Sequence, residues 1–180
     1  MKRIWPVLLL LGALGACSKS AVDNPLTLIP VNERTFATEI SADWIGTTDS
    51  PTLQNRKGKV VIVNFWATWC GPCRMEMPGL VKIYQRYHDK GMDIFGLSVD
   101  QPNSRGGSPE ETRKYVKEFA ASNNVPYPIG LANPSSSQAY GISAIPASFL
   151  VDKQGRLALR LIGLYPEDKI ADAVDRLLKE

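Results

Sequence analysis

Cys70 and Cys73 stand two residues apart in the run Phe65 to Pro78, FWATWCGPCRMEMP. Two thiols at this spacing can close on each other, so the pair can store and release two electrons. A helix starting just after Cys70 places that sulfur at the positive end of the helix dipole, beside backbone amides with no partner of their own. Both favour thiolate, the form that attacks a disulfide. Cys70 is thus the expected nucleophile, and Cys73, one turn on, the thiol that resolves the mixed disulfide. Pro72 falls in the first turn, where its missing N–H costs little. Trp69 would shield one side of the pair. Two other uses of the cysteines are weighed. Structural zinc usually takes four ligands, and only His88 and Cys17 remain to add. A permanent clip closing so short a loop gains little chain entropy.

The elements that must position this motif are legible around it. Val60 to Trp66 is β-branched and almost wholly apolar, which suits a central strand buried on both faces. From Cys70 the pattern turns helical through Met77, Leu80, Val81 and Tyr84, with Pro78 inside and expected to kink the helix. Asp93 to Val99 reads as a second buried strand, and strand–helix–strand order implies a parallel pair with a right-handed crossover. Ser108-Pro109-Glu110-Glu111 opens a further helix with a capping box. Short strands are expected within Phe36 to Trp44 and at Tyr127 to Leu131. A short helix is expected from Ser135 to Tyr140. Ala147 to Val151 and Leu157 to Ile162 form a hairpin around Asp152 to Gly155. A last helix begins near Pro166, with Ile170, Val174, Leu177 and Leu178 as its inner stripe. The fold class is α/β: a central mixed sheet flanked by helices, in a thioredoxin-like layout with an inserted central helix and an N-terminal extension.

The chain has 180 residues and is 44% hydrophobic, which suits one domain with a real core. It opens MKRIWPVLLLLGALGAC. Lys2 and Arg3 precede an apolar run, Ile4 to Ala16, too short for a bilayer core of about 20 helical residues; it reads as a signal segment. Leu14-Gly15-Ala16-Cys17 resembles a bacterial lipobox, which implies lipid on Cys17 and cleavage just before it; a plain secretory signal with a stray cysteine is the alternative. Residues 1–16 are then a lipoprotein signal, 17–34 a tether, flexible at first and partly packed later, and 35–180 the domain. With Lys2 and Arg3 removed from 21 Lys and Arg, 19 bases face 18 acids, a balance that gives no electrostatic case for nucleic acid.

Asn64 to Pro78, together with Lys57-Gly58-Lys59, Leu97-Ser98-Val99-Asp100 and Tyr140 to Asp152, resembles the exported TlpA/ResA-type thiol–disulfide oxidoreductases of the thioredoxin superfamily. The resemblance implies that Pro146 is a cis-proline facing the dithiol, with the Ile145 backbone offered to an extended peptide; an ordinary trans proline is the alternative. Trp69, Gly71, Pro72, Ile145 and Pro146 are the substrate contacts it implies. It also implies that Glu76 moves protons for the cysteines; a solvated helix acid is the other reading, and flanking Met75 and Met77 leave its face open. Asn64 departs from cytoplasmic thioredoxins, which carry an ionisable aspartate there; asparagine closes that proton route. His88 reads as a surface or helix-capping residue, and Arg74 and Lys82 as solvated positions.

The function expected is a tethered extracytoplasmic (periplasmic) reductase of disulfides in exported proteins, monomeric, with no cofactor beyond its own dithiol. An upstream membrane thiol donor would recharge it, and apocytochrome c is the substrate class the resemblance implies. A copper-handling assembly protein and a thiol peroxidase are the competing readings. The first wants cysteines three apart and a distant histidine. The second wants a separate peroxidatic cysteine.

Overall fold

A computed structural model describes residues 25–47, 50–102 and 107–180. The signal segment and Cys17 lie outside the described residues. Six strands form one mixed sheet in the order β1-β4-β3-β2-β5-β6. They are β1 (Ala42–Ile45), β2 (Val60–Trp66), β3 (Met92–Ser98), β4 (Ile129–Ala132), β5 (Ala147–Val151) and β6 (Leu157–Ile162). The helices are α1 (Gly71–Tyr87), α2 (Pro109–Ser122), α3 (Pro134–Ala139) and α4 (Glu167–Lys179). β2, β3 and β4 run parallel, β1 pairs antiparallel with β4, β5 with β2, and β6 with β5. The thioredoxin-like mixed sheet read from the sequence is the fold observed.

β2 is the middle of this arrangement, and all seven of its residues are buried. Successive side chains of a strand alternate between faces. Val60, Ile62 and Trp66 therefore join the cluster made with α1, α2 and α4, while Val61, Val63 and Phe65 join the one covered by Tyr140 and the segment holding Ile40 and Leu53. Asn64 belongs to the first set by parity, so its amide faces α1. The helix itself buries Cys73, Glu76, Met77, Leu80, Val81, Ile83 and Tyr87, a stripe at helical spacing. It runs through the exposed Pro78 as one element. The capping box at Ser108 and Glu111 forms as expected, with each side chain bonded to the other's backbone N–H.

Two strand boundaries shift, and the packed part of the extension is located. The first strand covers only Ala42–Ile45, and Phe36 makes a single isolated bridge to Arg156. β4 starts at Ile129, because Pro126 and Pro128 flank Tyr127 and bring no N–H to a ladder. The segment assigned to a tether is packed from Leu26 onward. Leu26 and Leu28 lie against the core, and the Ile29 N–H donates to the Ala158 carbonyl at 2.8 Å.

Arg34 fastens this extension. Its side chain is 2% exposed and pairs with Asp152, itself 1% exposed, at 3.2 Å. It also donates to the Ile29 carbonyl and to Glu180. Asp152 further takes Arg156 at 2.9 Å. Removing one member of a buried ion pair strands the other. Because Asp152 keeps Arg156, Arg34→Ala should cost about 3 kcal/mol, at the low end of that class. Urea denaturation checks this, and a loss under about 0.5 kcal/mol would put the pair among the solvent-screened ones.

Candidate functional site

The site sits where β2 ends and α1 begins. Cys70 is the N-cap of α1 in extended backbone conformation, and the Cys73 N–H donates to its sulfur at 3.1 Å. Cys70 and Cys73 are joined as a disulfide, 5% and 2% exposed. The amide that would favour a Cys70 thiolate is therefore already aimed at that sulfur in the oxidised state. Pro72 occupies the first turn, and Gly71 and Pro72 are exposed. Trp69 projects beside them, 55% exposed.

Across the dithiol lies the loop entering β5. The Ile145–Pro146 bond is cis, and the Ile145 carbonyl oxygen is 3.8 Å from Cys70 Sγ. Ile145, distant in sequence, thus borders the same sulfur pair as Trp69, Gly71 and Pro72.

Glu76 falls on the buried stripe of α1, one turn after Cys73, and is 6% exposed. Met75, its neighbour, points out and is 71% exposed, while Met77 is buried. Asn64 Nδ2 donates to Glu76 Oε2 at 3.2 Å and to Ser148 Oγ at 3.0 Å. Asn64 and Ser148 are direct partners across the β2–β5 ladder. Glu76 Oε1 has no hydrogen-bond partner among the described residues. Burial pushes the Glu76 carboxyl up to about 7, against smaller downward pulls from Asn64 and from the Tyr165 backbone. Glu76 also lines an open groove of about 460 Å³ bounded by Met75, Gly79, Leu164, Tyr165 and Pro166. A carboxyl half-protonated near neutrality, on the same helix face as a cysteine, is suited to taking up and returning a proton.

The other sequence candidates lie elsewhere. Arg74 rests over the Phe119 ring at 5.6 Å, and Lys82 pairs with Glu167 at 3.1 Å in solvent. His88 caps the C-terminus of α1 and stacks on Tyr84 at 4.4 Å.

Residues 45–175 match the Redoxin family model. The chain belongs to the Redoxin family. Among its relatives is the thiol-disulfide oxidoreductase ResA of Bacillus cereus (strain ZK / E33L), 31% identical over 126 residues, 69% of this chain and 67% of that one. The thiol:disulfide interchange protein HelX of Rhodobacter capsulatus is 35% identical over 68% of this chain and 63% of its own length. Among solved structures, a thiol:disulfide interchange protein of the thioredoxin family from Chlorobium tepidum superposes with a TM-score of 0.69 at 26% identity, covering 81% of this chain and 97% of that one. This Redoxin is a thiol–disulfide oxidoreductase with the Cys70–Cys73 pair.

Sequence reading did not find Ser148 or Tyr165. Ser148 shares the parity of Leu150 on β5, a signal that it points toward α1, but its pairing with Asn64 needs the strand register.

The Glu76 carboxyl has a pH consequence for stability. Its folded value lies above the unfolded 4.5, so the folded chain binds more protons in between. Its contribution is complete below about pH 4.5 and lost as pH rises to about 7. Relative to Glu76→Gln, the wild-type chain should lose up to about 3 kcal/mol across that window. Urea titrations at pH 4 and pH 8 measure the difference, and equal differences at both would refute a buried carboxyl with a raised value.

Proposed function

We propose that this Redoxin is a membrane-tethered, extracytoplasmic reductase of disulfides in exported proteins, with Cys70 as nucleophile, Cys73 as resolving thiol and Glu76 as proton carrier. The observation that carries the reading is the buried Glu76 on the dithiol face of α1, next to a strand amide, Asn64, that cannot ionise. In the reduced form the Cys70 thiolate attacks a substrate disulfide, forming a Cys70–substrate bond and expelling one substrate thiolate. Cys73 then gives its proton to Glu76 and attacks Cys70 Sγ. The second substrate sulfur leaves as a thiolate and is protonated from Glu76. The substrate gains two electrons and the enzyme is left with the Cys70–Cys73 disulfide. No cofactor is needed beyond that pair.

Trp69, Gly71, Pro72 and Pro146 frame the entering substrate, and the Ile145 backbone beside Cys70 suits an extended peptide. Recharging calls for a thiol donor in the membrane. CGPC resembles the reducing members of the superfamily, which supports reduction as the direction. The TlpA/ResA resemblance points to apocytochrome c as substrate class, and we assign a monomer. The leader and the lipobox-like Leu14 to Cys17 support a lipid anchor on Cys17; among the described residues no helix is long and apolar enough to cross a membrane.

Two experiments test these assignments. The chain beginning at residue 18 should reduce insulin catalytically, and Cys70→Ser should abolish turnover; equal rates would sink the nucleophile. In cells, the wild-type chain should pellet with membranes and incorporate labelled palmitate, and Cys17→Ser should appear in the soluble extracytoplasmic fraction. A wild-type chain that is soluble and unlabelled would remove the anchor.

A further inference from the structure

Asp100 is a buried acid with no part in the steps above. It follows β3 and is 6% exposed. Its carboxylate takes both donors of one residue: the Thr68 N–H on Oδ2 at 2.9 Å and the Thr68 hydroxyl on Oδ1 at 2.6 Å. Ser98, fully buried, donates to Oδ2 at 2.7 Å and accepts the Asp100 N–H at 3.1 Å. The carboxylate is therefore held from two sides and cannot rotate without breaking several bonds.

Thr68 lies in the turn that leads into the dithiol. The Cys70 N–H bonds back to the Ala67 carbonyl at 3.2 Å, closing Ala67-Thr68-Trp69-Cys70. Just below, the Val99 N–H bonds to the Trp66 carbonyl at 2.8 Å and continues the β2–β3 ladder. Thr68 is 1% exposed, whereas Trp69, next in the turn, is 55% exposed. One turn residue is thus anchored inward while its neighbour meets solvent. Two hydrogen bonds to one buried side chain thus fix both the backbone and the hydroxyl of Thr68.

We infer that Asp100 is a positioning residue for thiol exchange: by clamping Thr68 to the end of β3 it fixes the turn that presents Cys70 and Trp69 to a substrate disulfide. It is not placed against the reacting sulfurs; it acts through Thr68. In-line attack on a disulfide tolerates little misplacement, and a shift of about 1 Å can cost on the order of a hundredfold in rate. The turn has no other side-chain anchor among the bonds described for residues 67–69.

The inference rests on Cys70 being the attacking thiol. It is tested on the mature chain by two readouts: kcat/KM for insulin reduction, and the pH profile of iodoacetamide alkylation of Cys70 in the reduced protein. Asp100→Ala should lower kcat/KM about tenfold and displace the alkylation profile. Asp100→Asn, which keeps the shape and one acceptor oxygen, should recover most of both. If Asp100→Ala lowers only the melting temperature and leaves both readouts unchanged, the role is structural and the inference fails. It fails as well if Asp100→Asn is as impaired as Asp100→Ala, since charge and not geometry would then be the cause. Should Asp100→Ala not fold, Thr68→Val removes one clamp bond and keeps the backbone one. A loss of about threefold is expected there, and no change in either readout overturns the inference. Cys70→Ser, assayed in parallel, reports on the premise alone: turnover without Cys70 would sink the nucleophile, while alkylation in the Asp100 variants still reads the clamp.

Discussion

A strand buried on both faces is the constraint from which this site follows. β2 lies between β3 and β5, with helices α1, α2 and α4 over one face and Ile40, Leu53 and Tyr140 over the other. Such a strand has no freedom to slide, because a slip of one residue would exchange its two faces. Everything at its upper end is placed by that fixity: the turn through Thr68, the N-cap Cys70 and the first turn of α1. Asn64, three residues before Ala67, is held under α1 for the same reason.

Within this frame two buried carboxyl groups are treated differently. Asp100 receives three donors, so its burial is offset by hydrogen bonds and it serves as an anchor. Glu76 takes its side-chain donor from Asn64, and its Oε1 has no partner among the described residues. An incompletely satisfied buried carboxyl holds its proton to higher pH. Glu76 is thereby suited to exchange a proton near neutrality. The substitution of an amide for an acid on β2 matters here, because a second ionisable group beside Glu76 would couple the two titrations.

Much of this was open to sequence reading. The CGPC spacing after a β-branched run gave the dithiol, the helix start and the position of Cys70 at its cap. The nearly unbroken apolar run of β2 and the spacing of Met77, Leu80, Val81 and Tyr84 gave the strand and helix. The capping box at Ser108 was legible because its four residues are adjacent. What stayed open was the face of Glu76. Met75 on one side and Met77 on the other are equally apolar as letters, and only packing leaves one 71% exposed and the other 3%. Partial packing of the extension was expected, but not which residues pack: Leu26 and Leu28 sit among prolines and polar residues, and the Arg34 pairing joins positions more than a hundred residues apart.

The sequence by itself determined the chemistry available: two thiols at exchange spacing, one acid a turn beyond them, and an asparagine where an aspartate would offer a second proton route. These are local, since a helix turn or a strand repeat spans only a few residues and fixes its own geometry. The tertiary structure decided which groups meet. Ile145 beside Cys70, Ser148 beside Asn64 and Asp100 around Thr68 are joined across 75, 84 and 32 residues of chain. Such contacts depend on strand order and register, which short-range propensity does not encode, because the free energy that selects them comes from burying both faces of the sheet at once.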